Sequence, residues 1–463
     1  MSMSRARAFV AALIIVTTES FAVSVDAATL SLVGSSTKVC QLIGDADWAT
    51  HQPTAAQTLS NFGLDAVDLG FPVDGGAAGL FFLFGDAVPN GHPPNSPPSL
   101  PPDDALGFTM RTMTPDSATC LDLQLTVSAP KTFAHPTVLP AIQQGSFNVP
   151  TGGLFLNNTL YAFFWTDHCV FAQTLTPDPG APLTFPPPNL LCPESLESNS
   201  VGHSVLAKAT PADPVGFSWA IPPDRVPLLH MPSGFVYVSA AKPPPGPNPP
   251  PLGIPIFGAA RYRASIPYLA VAPSATFDDP DTWSFFAGSL GGNPVWITRQ
   301  QWESGHTVSG EWAPPSGAEI YDAVPPSERC VGEHSVTWNA PLHVWLLLYN
   351  CEPWTVEARF APDPWGPWSP PIPILSLVQN PGAICTLIMS DTGCPGLVRR
   401  NYWTLPNGKP WPGIFYAPFV LDRFTQDATL PGPGQPKRAT IYWLLSTWNP
   451  YTIVVMQSTL ALQ

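Results

Sequence analysis

Charge is what this sequence has least of. Only 11% of its 463 residues are Asp, Glu, Lys or Arg, against roughly a quarter in an ordinary soluble domain. Cations are scarcer still, 19 Lys and Arg against 33 Asp and Glu, which leaves a net charge of −14. A chain this acidic is repelled by phosphate backbones and anionic lipid, so nucleic acid and acidic membrane surfaces are poor partners for it. Long stretches of helical period are absent, and beyond the first residues no apolar run reaches the ~20 residues of a membrane span. Missing too are a CxxC or Cys/His cluster for zinc, a GxSxG nucleophile elbow, a phosphate-binding glycine loop and an HExxH pair. What is abundant is apolar and punctuating: 44% hydrophobic residues, 16 Trp and 25 Phe, with 61 Pro and 35 Gly. Disorder is incompatible with that much core material, and the proline and glycine read as turns between many short strands.

Arg5 and Arg7 precede an apolar run from Ala8 to Val16, and small residues follow at Ala22, Val25, Ala27 and Ala28. This is the layout of a secretory signal peptide over residues 1–27, cut after Ala27, with Ala22 the alternative site and an uncleaved anchor the competing reading. Cysteines at 40, 120, 169, 192, 330, 351, 385 and 394 all follow it. An even number in an exported chain suggests disulfides. Neighbours pair most simply as Cys169–Cys192, Cys330–Cys351 and Cys385–Cys394, leaving Cys40–Cys120 to tie down the N-terminal segment, one of about 105 connectivities that eight cysteines allow. The expected location is secreted, periplasmic or extracellular.

The recurring unit thereafter is a short apolar strand, a Gly/Asn/Pro turn and a second apolar strand. Such units occupy 69–85, 149–166, 235–271, 331–350 and 415–462. In the second, Asn157-Asn158 separates two apolar runs and suits a tight turn; a glycosylation sequon is the competing reading of Asn157-Asn158-Thr159. Five units of this kind predict an all-β, five-bladed β-propeller of short antiparallel strands with proline-rich loops, because radial repetition buries short strands without long exposed edges. A β-sandwich pair is the structural alternative. The organisation expected is residues 28–60 closing on a single propeller domain over 61–463.

Among so few charges, acids embedded in apolar strands stand out. A hairpin centred near residue 77 pairs positions whose numbers sum to about 154, which sets Asp68 opposite Asp86. Opposed like charges are destabilising, so one of the two should keep its proton to higher pH. One ionised and one protonated carboxyl is what glycoside hydrolysis requires. Solvated strand ends are the plain alternative for both. Asp104 is a third candidate acid if its strand continues the same blade, and Glu333 opens the fourth unit as Asp68 opens the first. Asp167, His168 and His203 are candidates for the channel wall, and Trp165 and Trp338 could offer flat faces to sugar rings. Trp365-Gly-Pro-Trp368 reads as an exposed turn.

Several segments carry a resemblance: Asp68-Leu-Gly-Phe-Pro, Leu80-Phe-Phe-Leu-Phe-Gly-Asp86, Val149-Pro-Thr-Gly-Gly153, Arg261-Tyr-Arg-Ala-Ser265, Pro364-Trp-Gly-Pro-Trp-Ser369 and Trp448-Asn-Pro-Tyr451. Together, over most of 60–460, they resemble a secreted bacterial family, long described only as a domain of unknown function, that includes endo-D-arabinanases. The resemblance implies a five-bladed propeller with an acidic site on its axis. It also implies catalytic acids at Asp68 and Asp86, and adds Arg261 to the substrate-binding candidates. Tyr416 to Arg423 departs from the family's usual fifth-blade segment, and proline-rich insertions lengthen several loops, where specificity resides.

The function expected is therefore a secreted glycoside hydrolase acting on a polysaccharide, an arabinan among the candidates. Asp68 and Asp86 are its principal acids, and Asp104 or Glu333 assist. A non-catalytic carbohydrate-binding propeller is the alternative, and a cell-surface interaction protein a third reading. No organic cofactor is expected; a calcium ion in the channel is compatible with the fold, although no acidic loop of the required ligand density announces it.

Overall fold

A computed structural model describes residues 28–90, 103–134, 148–166, 203–211, 217–220, 231–244, 253–260, 263–305, 312–322, 329–351, 354–390, 394 and 412–463. The signal-peptide assignment and the Cys169–Cys192 pair lie outside them. The fold is all-β, with five antiparallel sheets of four to six strands arranged as the blades of a five-bladed propeller.

Each blade begins with the strand nearest the axis. These inner strands are Leu64–Asp74, Asn148–Leu156, Tyr237–Ala240, His334–Asn339 and Ile414–Val420. Each packs on the next, and the fifth packs back on the first, so the ring is closed. The second strands of blades one and four, Leu80–Pro89 and Val344–Asn350, are apolar along nearly their whole length. Neighbouring blades cover both faces of a sheet there, which suppresses the alternation of a half-exposed strand. Asn157 and Asn158 both have positive φ, 50° and 61°, between the paired residues Leu156 and Thr159. That is the left-handed two-residue hairpin turn the sequence suggests.

The inner strands share no ladder with one another, and buried hydroxyls join them instead. Thr151 Oγ1 accepts from the Val238 backbone N–H at 3.2 Å, and Ser239 Oγ accepts from that of Val336 at 3.2 Å. Ser335 Oγ accepts from the Val420 N–H and donates to the Pro418 carbonyl, both at 3.1 Å. Three consecutive blade junctions thus satisfy backbone groups that no strand partner reaches.

Blade five closes the ring with both ends of the described chain. Leu30–Leu32 and Thr37–Gln41 each pair with Thr452–Leu462, and Thr29 and Gln463 exchange two backbone hydrogen bonds of 3.0 Å. Cys40–Cys120 fastens this N-terminal segment to blade one, and Cys330–Cys351 and Cys385–Cys394 are also formed. All three match the neighbour pairing read from the sequence, and they are consistent with an extracellular protein. Among the described residues no helix is long and apolar enough to cross a membrane.

Candidate active site

Because the inner strands all run the same way along the axis, their first residues gather at one mouth of the ring and their last at the other. Asp68 and Glu333 lie toward the first mouth, with Tyr416 early in the inner strand of blade five.

The hairpin of blade one begins in the expected register, Asp74 opposite Leu80 and Phe71 opposite Leu83, but slips by one at Gly70. Leu69 and Gly70 both have positive φ, 61° and 73°, and the extra residue is accommodated as a bulge. Asp68 therefore pairs with Gly85, not with Asp86, which corrects the pairing expected from the sequence. Gly85 matters by what it omits: a Cβ there would come within 3.0 Å of Asp68 Oδ1. Asp86 sits just beyond with φ 48°, inside a second bulge. On the next strand Phe84 pairs with Ala105 and Ala87 with Asp103, so Gly85 and Asp86 together face the single residue Asp104. Two bulges thus set Asp86 opposite Asp104 beside the Asp68–Gly85 pair.

Asp68, Asp104 and Glu333 are buried, and Asp86 is half-buried. Burial, then the neighbouring Asp86, push the Asp68 carboxyl well above the usual carboxylate range, and Glu333 adds to the push. Hydroxyl donors oppose it: Tyr451 contacts the carboxyl, and Tyr416 Oη donates to Oδ2 at 3.1 Å. Burial raises Asp86 to about 7. Tyr451 is pushed up in turn, by its burial and then by Asp68 and Asp86. The two aspartates are therefore a coupled pair that retains a proton near neutrality. Beside Glu333, burial drives His334 down to about 4, although its Nδ1 lies 3.0 Å from the Gly332 carbonyl. His334 is thus neutral at pH 7.

The aromatic candidates divide between the two mouths. Trp165 is on the second strand of blade two at the Asp68 end, buried against Tyr237 with ring centroids 5.3 Å apart. Trp338 is five positions beyond Glu333 on an extended strand and lines a cavity at the opposite mouth. It therefore lies apart from Asp68, at the other end of the inner strands. Trp368, read as part of an exposed turn, is buried edge-on to Phe257. His203 pairs through its backbone with Thr166; its side chain, and Asp167, His168 and Arg261, lie outside the described residues. From the same motif as Arg261, Arg263 donates to the Asn350 amide oxygen at 3.0 and 3.1 Å, with that amide oriented to accept.

Tyr416 and Tyr451 are the site residues that sequence reasoning missed. Both adjoin a proline interruption, Ala417-Pro418 and Asn449-Pro450, with positive φ at Ala417 and Asn449. A tyrosine next to a break in an apolar strand was the available signal. Among the described residues no group of three or more His, Cys, Asp or Glu is spaced to hold a metal ion.

A family model described as a domain of unknown function, DUF4185, matches residues 254–457. The match runs from the second strand of blade three into blade five, so it takes in Glu333, Tyr416 and Tyr451 and leaves Asp68 and Asp86 outside. No curated protein matches the chain. Among solved structures, a Bacteroides ovatus protein is similar at 11% identity over 87% of each chain, with a TM-score of 0.45. A GH43_1 enzyme of Xanthomonas citri complexed with xylotriose is 8% identical over 85% of this chain and 86% of that one, with a TM-score of 0.34. Trypanosoma rangeli sialidase is 8% identical over 93% and 59%, with a TM-score of 0.37.

Proposed function

We propose that the protein is a secreted glycoside hydrolase acting on a polysaccharide, with a D-arabinan the first substrate to test. The observation that carries this reading is the Asp68–Asp86 pair at the axial mouth, neighbouring carboxyls both raised, with Asp86 near 7. A buried like-charge pair is costly as a structural device, whereas a protonated carboxyl beside an ionised one is what glycosidic cleavage uses. In this reading one carboxyl donates its proton to the departing glycosidic oxygen. Its partner, as carboxylate, attacks the anomeric carbon or activates the water that does. Tyr416 and Tyr451 orient Asp68, and Asp104 and Glu333 keep the local field negative where the sugar carbon becomes electron-deficient.

The test is incubation of the purified protein, beside its Asp68→Asn/Asp86→Asn double variant, with plant and mycobacterial polysaccharides including arabinogalactan. New reducing ends from the wild type alone support hydrolysis by this pair. Saturable glycan binding with no new reducing ends in either protein replaces this reading with that of a carbohydrate-binding propeller.

A further inference from the structure

Among the described side chains only one aromatic is well exposed. Trp354 is 46% accessible, whereas the remaining tryptophans, tyrosines and phenylalanines described are buried or half-buried. It stands just ahead of Thr355–Ala361, the third strand of blade four. Val356 pairs there with Asn350, and the neighbouring Tyr349 with His334, so Trp354 lies at the Glu333 end of its blade and therefore at the Asp68 mouth. Two hydrogen bonds fix it: its indole Nε1 donates to the Gly413 carbonyl at 2.9 Å, and its own carbonyl accepts from the Leu377 N–H at 3.1 Å. Gly413 immediately precedes the inner strand of blade five, whose Tyr416 donates to Asp68.

A tryptophan left this open is informative, because its large apolar surface is ordinarily taken into the core. The one polar atom of its side chain is already satisfied by Gly413, so what the side chain shows to water is carbon, and it can offer a guest only an apolar contact. A sugar ring suits that offer, since one face presents C–H groups to the indole while the hydroxyls around its edge stay in water. The indole is held before any guest arrives, which lowers the ordering cost of binding. We propose that Trp354 is a distal subsite of the carbohydrate cleft, where one sugar unit of a polysaccharide stacks on the indole outward of the acid pair. The inference rests on the reading of the Asp68 mouth as a polysaccharide site. Three residues of extended strand, roughly 10 Å, separate Gly413 from Tyr416. Tyr416 reaches on to blade one, whereas Trp354 comes from blade four on the other side of that strand. No single sugar unit then touches both Asp68 and Trp354, and the guest that engages both is a long glycan rather than a free monosaccharide.

The experiment is affinity electrophoresis of the Asp68→Asn/Asp86→Asn protein through gels containing arabinan, arabinogalactan or xylan, with Trp354→Ala, Trp354→Leu or Trp354→Phe added, beside reducing-end assays of the same Trp354 variants in the otherwise native protein. The dissociation constant for at least one polysaccharide should rise about tenfold with Ala or Leu, and less with Phe, which keeps an aromatic face but loses the bond to Gly413. In the reducing-end assay KM should rise by a similar factor without a matching fall in kcat. Affinity and KM indifferent to Trp354→Ala overturn the subsite and leave hydrolysis by the acid pair standing, and equal losses with Ala, Leu and Phe overturn it in favour of a structural role for the Gly413 bond. Binding that depends on Trp354, with no new reducing ends from the wild type, keeps the subsite and removes the hydrolase reading. No retention of any polysaccharide overturns the subsite whatever the wild type cleaves. Trp354→Leu keeps apolar bulk without a ring, so the decision stands even where Trp354→Ala does not fold.

Discussion

The two mouths of the ring use aspartate in opposite ways. At one, Asp68 is buried beside the charges of Asp86 and Glu333 with tyrosine hydroxyls opposing them, Asp86 is desolvated, and both carboxyls rise. At the other, burial would lift Asp74 as well, but hydrogen bonds from Arg423 and the Gly76 N–H, with the charge of Lys242 close by, hold it below the usual range. Asp68 and Asp74 share residue type and strand, but Asp68 is buried against carboxyls and tyrosine hydroxyls, whereas Asp74 is only partly buried and carries the Arg423 guanidinium. In a chain with 19 Lys and Arg in all, that placement is informative. The Asp74 mouth carries an ionic tie between blades one and five, whereas at the Asp68 mouth burial and like charge raise the carboxyls.

The largest expected break in this contrast is Asp68→Asn. It should lower turnover on the susceptible polysaccharide by about 10² to 10⁴, measured as reducing ends released, while the circular dichroism spectrum is unchanged. Next is Arg423→Met, which leaves Asp74 facing Asp422 without its main partner. A loss of about 1–3 kcal/mol in denaturant unfolding at pH 7 is expected. That loss should shrink in acid, because a carboxyl held low contributes stability above its unfolded value, about 4, and loses it as pH falls through the native one.

Asp86→Asn should act in the reverse sense. A carboxyl raised to about 7 destabilises the folded state progressively as pH climbs from about 4 to its native value. The variant should therefore melt higher than the wild type at pH 8, by about 1 °C per kcal/mol relieved, and indistinguishably near pH 4. Asn also tolerates the positive φ at this position. Smaller again is Tyr416→Phe, which removes a donor that favours the ionised Asp68. The limb of the pH–rate profile that reports this pair should move to higher pH, with the maximal rate little altered. The smallest change belongs to Asp281→Asn, which breaks the surface bridge to Arg299 away from both mouths and should alter neither melting nor turnover measurably.

Much of the scaffold could be read from the chain because its signals are local. The apolar run Val344–Asn350 and the Asn157-Asn158 turn each declare themselves within a dozen residues. Cys330–Cys351 could be read from spacing for the same reason. The acid pair was legible in outline, since hairpin arithmetic brings Asp68 and Asp86 together. The register at the site was not, because it depends on Gly70 adopting a left-handed conformation that a glycine permits without announcing. That Trp338 lies at the mouth away from Asp68 could not be read from its aromatic character, because that depends on position along the strand. Glu333 immediately precedes the strand that Trp338 nearly ends, and on an inner strand its two ends serve different mouths. Tyr416 and Tyr451 come to Asp68 from more than 340 residues away, a proximity that only ring closure creates.

That closure has a topological consequence. With Thr29 and Gln463 hydrogen-bonded to each other, the ends of the described chain meet on the outer edge of one blade, and the polypeptide traces a circle. A circle has no obligatory starting point. A permuted gene that joins 463 to 29 through a short linker and opens at the exposed Asn157-Asn158 turn would encode the same ring in a different order, with both mouths intact.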